Sequence, residues 1–349
     1  MRYAFGELVI RVTMDELPMA ALPHPTAADR YLGCLLGLAI GDALGMPSGA
    51  RNADTPIIGY EPLLDADGSE RVQAGQFTSH TELALCLVET LVSANGFIDP
   101  DTAGYRFVQV LRSEHGHLLD ATSREAIERG DATGEYQHGL VSDGPIEPGP
   151  AARVAPIGLV HALGQINTEM FVREVMRVTL ITHAAPDAVN GALALAWAIS
   201  LAVQHEVVPE MVASEVLAFI DEDDTARKLR IATEALVIRT SPERDEAILA
   251  RIGPGDSIAE AVARALYLYG IHADNFETAV LAAANSGRQG AAVGAMTGAL
   301  VGARIGAQSL TVPLIDGLEG RMYILMAGPA LFRTAQRRAG LFLPLHQRP

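Results

Sequence analysis

The chain has 349 residues, with 26 Lys plus Arg against 42 Asp plus Glu and a formal net charge of −16. At about 150 residues per domain, that length allows one large domain or two ordinary ones; the 49% hydrophobic content supplies a sizeable core and argues against disorder. The acidic balance argues against a nucleic-acid coat, whose affinity comes from Lys and Arg displacing counterions, and leaves room only for a local basic pocket around a small phosphate ligand.

Residues 1–28 read as an N-terminal arm and linker. Alternation in LVIRVT suggests one short strand, and Pro18, Pro23 and Pro25 mark the linker. No long apolar core of a secretory signal is present there, and acidic residues come early. Cys34 and Cys86 both lie in apolar helical segments, so a disulfide framework is not expected and a reducing, cytoplasmic setting fits. The longest apolar runs, Gly191 to Val203 and Gly290 to Ala303, fall short of the roughly 20 residues of a membrane span, so buried core helices and no membrane partner are expected.

From residue 29 to about 330 helical spacing dominates, and a single large all-α domain is predicted. ADRYLGCLLGLAIGDALG places Gly33, Gly37, Gly41 and Gly45 on one helix face. Each glycine costs about 0.8 to 1 kcal/mol against alanine in a helix, so the stripe needs a packing reason, which close approach of another backbone supplies. GAAVGAMTGALVGARIG repeats the device with Gly294, Gly298, Gly302 and Gly306, predicting that the two striped helices are neighbours at the centre. Between them helices are predicted near 81–94, 100–113, 122–130, 152–163, 169–179, 187–204, 208–220, 223–239, 243–252, 257–270 and 274–285. Capping boxes at Ser79 to Glu82 and Ser257 to Glu260, and the pairs Asp99-Pro100 and Ser241-Pro242, mark helix starts. Segments 57–76 and 139–150 read as long loops, which are often functional, and 331–349 as a basic tail carrying Arg333, Arg337 and Arg338.

Asp42 is the first residue that asks for a chemical reason. A carboxylate inside an apolar stripe is expensive unless paired, so it either caps a neighbouring helix or serves a site. Around it the sequence resembles the ADP-ribosylglycohydrolase family, through RYLGCLLGLAIGDALGMPSGA at 30–50, GQFTSHTELALCLVETL at 75–91, EPGPAARVAPIGL at 147–159, THAAPDAV at 182–189 and NFETAVLAAANSGRQGAAVGAMTGALVGARIG at 275–306. The resemblance implies an all-helical domain holding two Mg2+ ions that help cleave the glycosidic bond between ADP-ribose and a protein side chain. It implies metal ligands from a Thr-Asp-Asp run opening one helix and an Asp-x-Asp-Thr/Ser run before the second glycine-striped helix.

This chain departs from both runs. Thr78 is kept, but Ser79 and His80 replace the two aspartates; Arg288 and Gly290 stand at the second pair, and Ala291 at the hydroxyl position. Mg2+ wants oxygen ligands in a tight octahedron, and Arg288 brings a permanent positive charge to the same place, so no metal cofactor is expected. Arg288 either pairs with Asp42 or another acid as a structural bridge, or binds an anion together with Arg153. His80 is either an inert helix-start histidine, a general base, or a soft-metal ligand with His183.

Other features have plain readings. His115 and His117 are expected to be solvent-exposed on a loop, Glu82 to serve its capping box, and Trp197 to pack. Non-metal glycoside hydrolysis would draw on Asp42 or the loop acids Asp65, Asp67 and Asp143, none with a fixed partner. The predicted ligand-contact set is Thr78, Ser79, His80, Arg153, His183 and Arg288, and the catalytic candidates are His80, Asp42 and Arg288. The leading expectation is a cytoplasmic pseudoenzyme that binds an ADP-ribose-like small molecule or a protein partner. The alternatives are a metal-independent N-glycoside hydrolase, and a structural subunit or homo-oligomer contacting through its arm and tail.

Overall fold

The computed structural model describes residues 25–50, 55–65, 67–142, 144–238 and 243–341. Among them are sixteen α-helices and one small hairpin of Leu63–Leu64 with Glu70–Val72. The expected N-terminal strand and the Ser241-Pro242 helix start lie outside the described residues.

The centre is the pair predicted from the glycine stripes. Helix α1 (Ala27–Gly45) runs antiparallel to the helix at Gly290–Ile305, with Gly33 against Gly302, Gly37 against Gly298, Gly41 against Gly294 and Gly45 against Gly290. A Cβ placed on Gly41 would overlap the carbonyl of Gly294, so the backbones touch where side chains ordinarily separate helices by 8–10 Å. Gly306 ends the second stripe in a positive-φ turn rather than on the helix face.

The remaining helices follow in chain order: α2 (Ser79–Ser93), α3 (Pro100–Arg112), α4 (Ala121–Thr133), α5 (Gly149–Arg153), α6 (Ala155–His161), α7 (Thr168–Thr179), α8 (Pro186–Gln204), α9 (Pro209–Phe219), α10 (Asp224–Val237), α11 (Glu243–Ile252), α12 (Ile258–His272), α13 (Phe276–Ala284), α14 (Gly290–Ile305), α15 (Val312–Asp316) and α16 (Arg321–Arg338). Helices α8, α12, α13 and α16 pack around the central pair; α2 with α3 and α4 covers one side, and α9 with α10 backs α12.

Several boundaries differ from expectation for identifiable reasons. The stretch 152–163 is two short helices joined at Val154, because Pro156 sits in the first turn of α6. The N-cap of α2 is Thr78, not Ser79; its hydroxyl accepts from the His80 N–H. Glu82 therefore does not close a capping box but reaches His115 Nδ1 at 2.8 Å. His115, expected in solvent, is half-buried between Glu82 and Gln76 within a 3-10 turn at Glu114–Leu118. Residues 331–338 are no tail. They continue α16 past the internal Pro329, and the Arg338 Nη1 lies 2.9 Å from the buried carboxylate of Glu174.

By length and composition alone, α1 and α8 are apolar enough to cross a membrane; 83% and 72% of their apolar windows are buried inside the fold. The count of apolar runs overlooked α1 because Asp42 breaks it. No membrane location follows from two mostly buried core helices.

Candidate functional site

Asp42 is fully buried and faces the start of α2. Its Oδ1 accepts the Thr78 hydroxyl at 2.7 Å, and its Oδ2 accepts the Thr78 N–H at 3.0 Å, the Thr81 N–H at 3.1 Å and the Thr81 hydroxyl at 2.6 Å. Four donors thus converge on one carboxylate at the N-terminus of α2. Of the two expectations for Asp42, the cap on a neighbouring helix describes this geometry. Both carboxylate oxygens are engaged at the start of α2, and the expected pairing with Arg288 does not form: the Arg288 side chain is exposed and makes no ion pair among the described residues.

Beside this cap, the positions that carry carboxylates in the resemblance offer little to a hard cation. The Ser79 hydroxyl donates to Leu118 O at 3.0 Å. His80 is half-buried, its backbone N–H tied to Thr78. At the start of α14, Ser48 bridges the loop by donating to Arg288 O at 3.2 Å and accepting the Gly290 N–H at 2.9 Å. Gly290 and Ala291 bring no side-chain oxygen. This donor set does not fit a pair of Mg2+ ions, which require several free oxygen ligands each.

The second half of the expected ligand set lies deeper. Arg153, at the end of α5, is 1% exposed; its guanidinium stacks 5.3 Å from the Phe107 ring, and Nη2 donates to the Thr182 hydroxyl. Burial lowers its pKa to about 10, opposed by the charge of Asp120. Arg153 is therefore an interior cation rather than a surface clamp, and a joint anion clamp with the exposed Arg288 is not formed. Next to it, Gly139 presses against the backbone of His183, and Leu140 forms a parallel bridge with His183, holding the loop 139–148 to the segment before α8. His183 is 1% exposed, its Nδ1 2.8 Å from Thr182 Oγ1 and its Nε2 3.6 Å from Glu147 Oε2.

Glu147 and Asp120 complete this group, and neither was singled out from the sequence. Asp120 caps α4, accepting the Ser123 N–H at 2.6 Å. Glu147 accepts the Thr122 hydroxyl at 3.0 Å. The His183 ring holds the Glu147 carboxyl below the usual range, against the opposing effect of burial, with Thr122 assisting. The convergence of Asp120 with residues 147 and 183 carries no local sequence signal. The structure thus divides the expected contacts into a mouth, with Thr78, Ser79, His80 and Arg288 on α2 and the start of α14, and an interior pair, Arg153 and His183.

A family model described as ADP-ribosylglycohydrolase matches residues 23–341. The chain belongs to the ADP-ribosylglycohydrolase family. It is 33% identical over 191 residues to YegU of Escherichia coli strain K12, covering 51% of this chain and 55% of that relative, so the match spans about half of YegU. It is 27% identical over 277 residues to the ADP-ribosylhydrolase ARH3 of Homo sapiens, covering 69% of this chain and 72% of that relative. A solved structure titled ADP-ribosylglycohydrolase-related protein complex superposes with a TM-score of 0.70 at 26% identity, over 88% of this chain and 99% of that one. The all-α fold is thus that of the ADP-ribosylglycohydrolases.

The remaining candidates do not join the site. Asp67 is exposed and closes a turn by accepting the Ser69 N–H and hydroxyl, and Asp65 is exposed in the same turn. Asp143 lies outside the described residues. Trp197 stacks on Phe219 at 4.2 Å between centroids, as packing requires.

Proposed function

We propose that this ADP-ribosylglycohydrolase family member does not carry out Mg2+-dependent hydrolysis and acts by binding an ADP-ribose-like ligand. The observation that carries this reading is the donor set at the mouth: both oxygens of the Asp42 carboxylate are engaged by Thr78 and Thr81, and no carboxylate stands at 79, 80, 288 or 290. Two unit charges 4 Å apart interact by about 4 kcal/mol at an effective dielectric near 20. Each missing aspartate removes an attraction of that order from each ion, and a guanidinium at 288 adds repulsion.

The same guanidinium supports the binding half of the reading. An ADP-ribose-like ligand carries two phosphate charges, and a site without Mg2+ needs another cation near them. Arg288, exposed before α14, and His80, half-buried at the start of α2, are the groups we assign to that contact. Cytoplasmic placement and a protein or self partner belong to this reading as proposals.

Calorimetry with ADP-ribose on the full chain tests binding, and release of ADP-ribose from modified arginine or serine tests turnover. The reading predicts saturable binding weakened at least ~10-fold by Arg288→Ala, as loss of a charge-assisted contact implies, with no Mg2+-dependent release. Robust Mg2+-dependent turnover contradicts it. Chelator-insensitive turnover abolished by His80→Ala or Arg288→Ala would instead establish the metal-independent hydrolase.

A further inference from the structure

We propose that Asp120, Glu147 and His183 form a binding site for a single borderline divalent cation of the Zn2+ class. One carboxylate oxygen from each acid and a ring nitrogen of His183 all lie within 4.8 Å of one another. The closest pair, His183 Nε2 and Glu147 Oε2, is 3.6 Å apart. Ligands held about 2.0–2.1 Å from a tetrahedral Zn2+ are separated by roughly 3.4 Å, so this pair is already near its coordinated spacing. The Glu147 side chain is 25% exposed, so water or a ligand can reach the group from its side.

The state of the histidine points the same way. His183 Nε2 is buried without a hydrogen-bond partner, and 3.6 Å is too long for one. On the ring's other side, Nδ1 lies 2.8 Å from Thr182 Oγ1, which also accepts from Arg153 Nη2. With the proton on Nδ1, Nε2 presents its lone pair toward Glu147 and Asp120, the form a cation between them would take up in place of the proton that Glu147 otherwise attracts. A metal-bound imidazole is ordinarily oriented through its opposite nitrogen in this way.

Charge balance agrees. Two half-buried carboxylates against the one guanidinium of Arg153 leave a net negative charge beside the buried His183 ring. An imidazole among carboxylates selects Zn2+, Co2+ or Mn2+ over Mg2+. The Thr122 hydroxyl donates to Glu147 and the Ser123 N–H to Asp120, fixing both acids from behind. Three protein ligands leave a fourth position for water or a ligand atom.

Titration of the tag-free, metal-stripped full chain with Co2+, followed by its d–d absorption and by Zn2+ displacement, tests the assignment. One equivalent of Co2+ should bind with a low-symmetry spectrum, Zn2+ should displace it, and excess Mg2+ should not. Glu147→Gln and His183→Gln should each weaken binding at least ~10-fold, the lower end expected even for outer-shell losses around a metal. Glu147→Gln tests the site even if the buried His183 variant fails to fold. Absence of saturable Co2+ and Zn2+ binding, or unchanged affinity in Glu147→Gln, overturns the proposal. These residues share none with 78–80 or 288–291, so either result leaves the reading of the mouth standing.

Discussion

Asp42 Oδ2 receives both the backbone N–H of Thr81, at 3.1 Å, and its hydroxyl, at 2.6 Å. A side chain from the central glycine-striped helix thereby caps α2 from outside, and α2 carries the mouth of the site. Removing the carboxylate would leave two N–H groups and two hydroxyls without their acceptor. Asp42→Ala is expected to lower stability by about 3–5 kcal/mol, measured as a fall in urea midpoint at constant slope. Arg288→Ala, at an exposed side chain with no ion pair among the described residues, should stay within about 0.5 kcal/mol.

The central helix pair makes a steric prediction. Gly41→Ala drives a methyl into the Gly294 carbonyl, a backbone atom that cannot step aside. It should destabilise by about 3 kcal/mol or more by forcing the helices apart, visible as a lost or much lowered thermal transition. Gly59→Ala, with open space around its Cβ, should change little in the same assay.

Acid sensitivity should come partly from Glu174. Burial raises its pKa, but the hydrogen bond from His161 Nε2, at 2.7 Å, and the charge of Arg338 outweigh burial and hold it below the ordinary glutamate value. A carboxyl depressed in the folded state contributes stability that is fully present above the unfolded pKa of about 4.3 and is lost as pH falls through the lower folded value. Wild type should lose this contribution below pH ~4, whereas Glu174→Gln should show a flatter acid limb in stability-versus-pH measurements.

Cysteine chemistry offers a further check. Burial raises the thiol pKa of Cys34 and of Cys86, the latter helped by Glu89 and Glu82. Thiolate is the reactive form, so neither should be alkylated in the native protein at neutral pH, and both should react on unfolding. Fast native labelling of Cys34 would contradict the packing of α1.

Much of this was legible from local pattern. The two stripes, 33-37-41-45 and 294-298-302, named the central pair because glycines at that spacing have no other economical explanation. The start of α3 followed from Asp99 beside Pro100. Helix α16 escaped because Pro329 interrupts it and its basic end reads as solvated; only the fold shows that Arg338 turns inward to Glu174. The group at residues 120, 147 and 183 was invisible for a different reason. Its members lie far apart in sequence, and their meeting depends on how the loop 139–148 bridges to His183. The mouth was legible as a set of substitutions, whereas the capping of α2 by Asp42 required coordinates.

The central claim is that the side chains at 78–80 and 288–291 do not assemble a dinuclear Mg2+ centre. Isothermal calorimetry of Mg2+ into the full chain saturated with ADP-ribose tests it most directly. The account predicts no saturable Mg2+ uptake by the unaltered chain. Two equivalents of Mg2+ bound by the unaltered chain would contradict it.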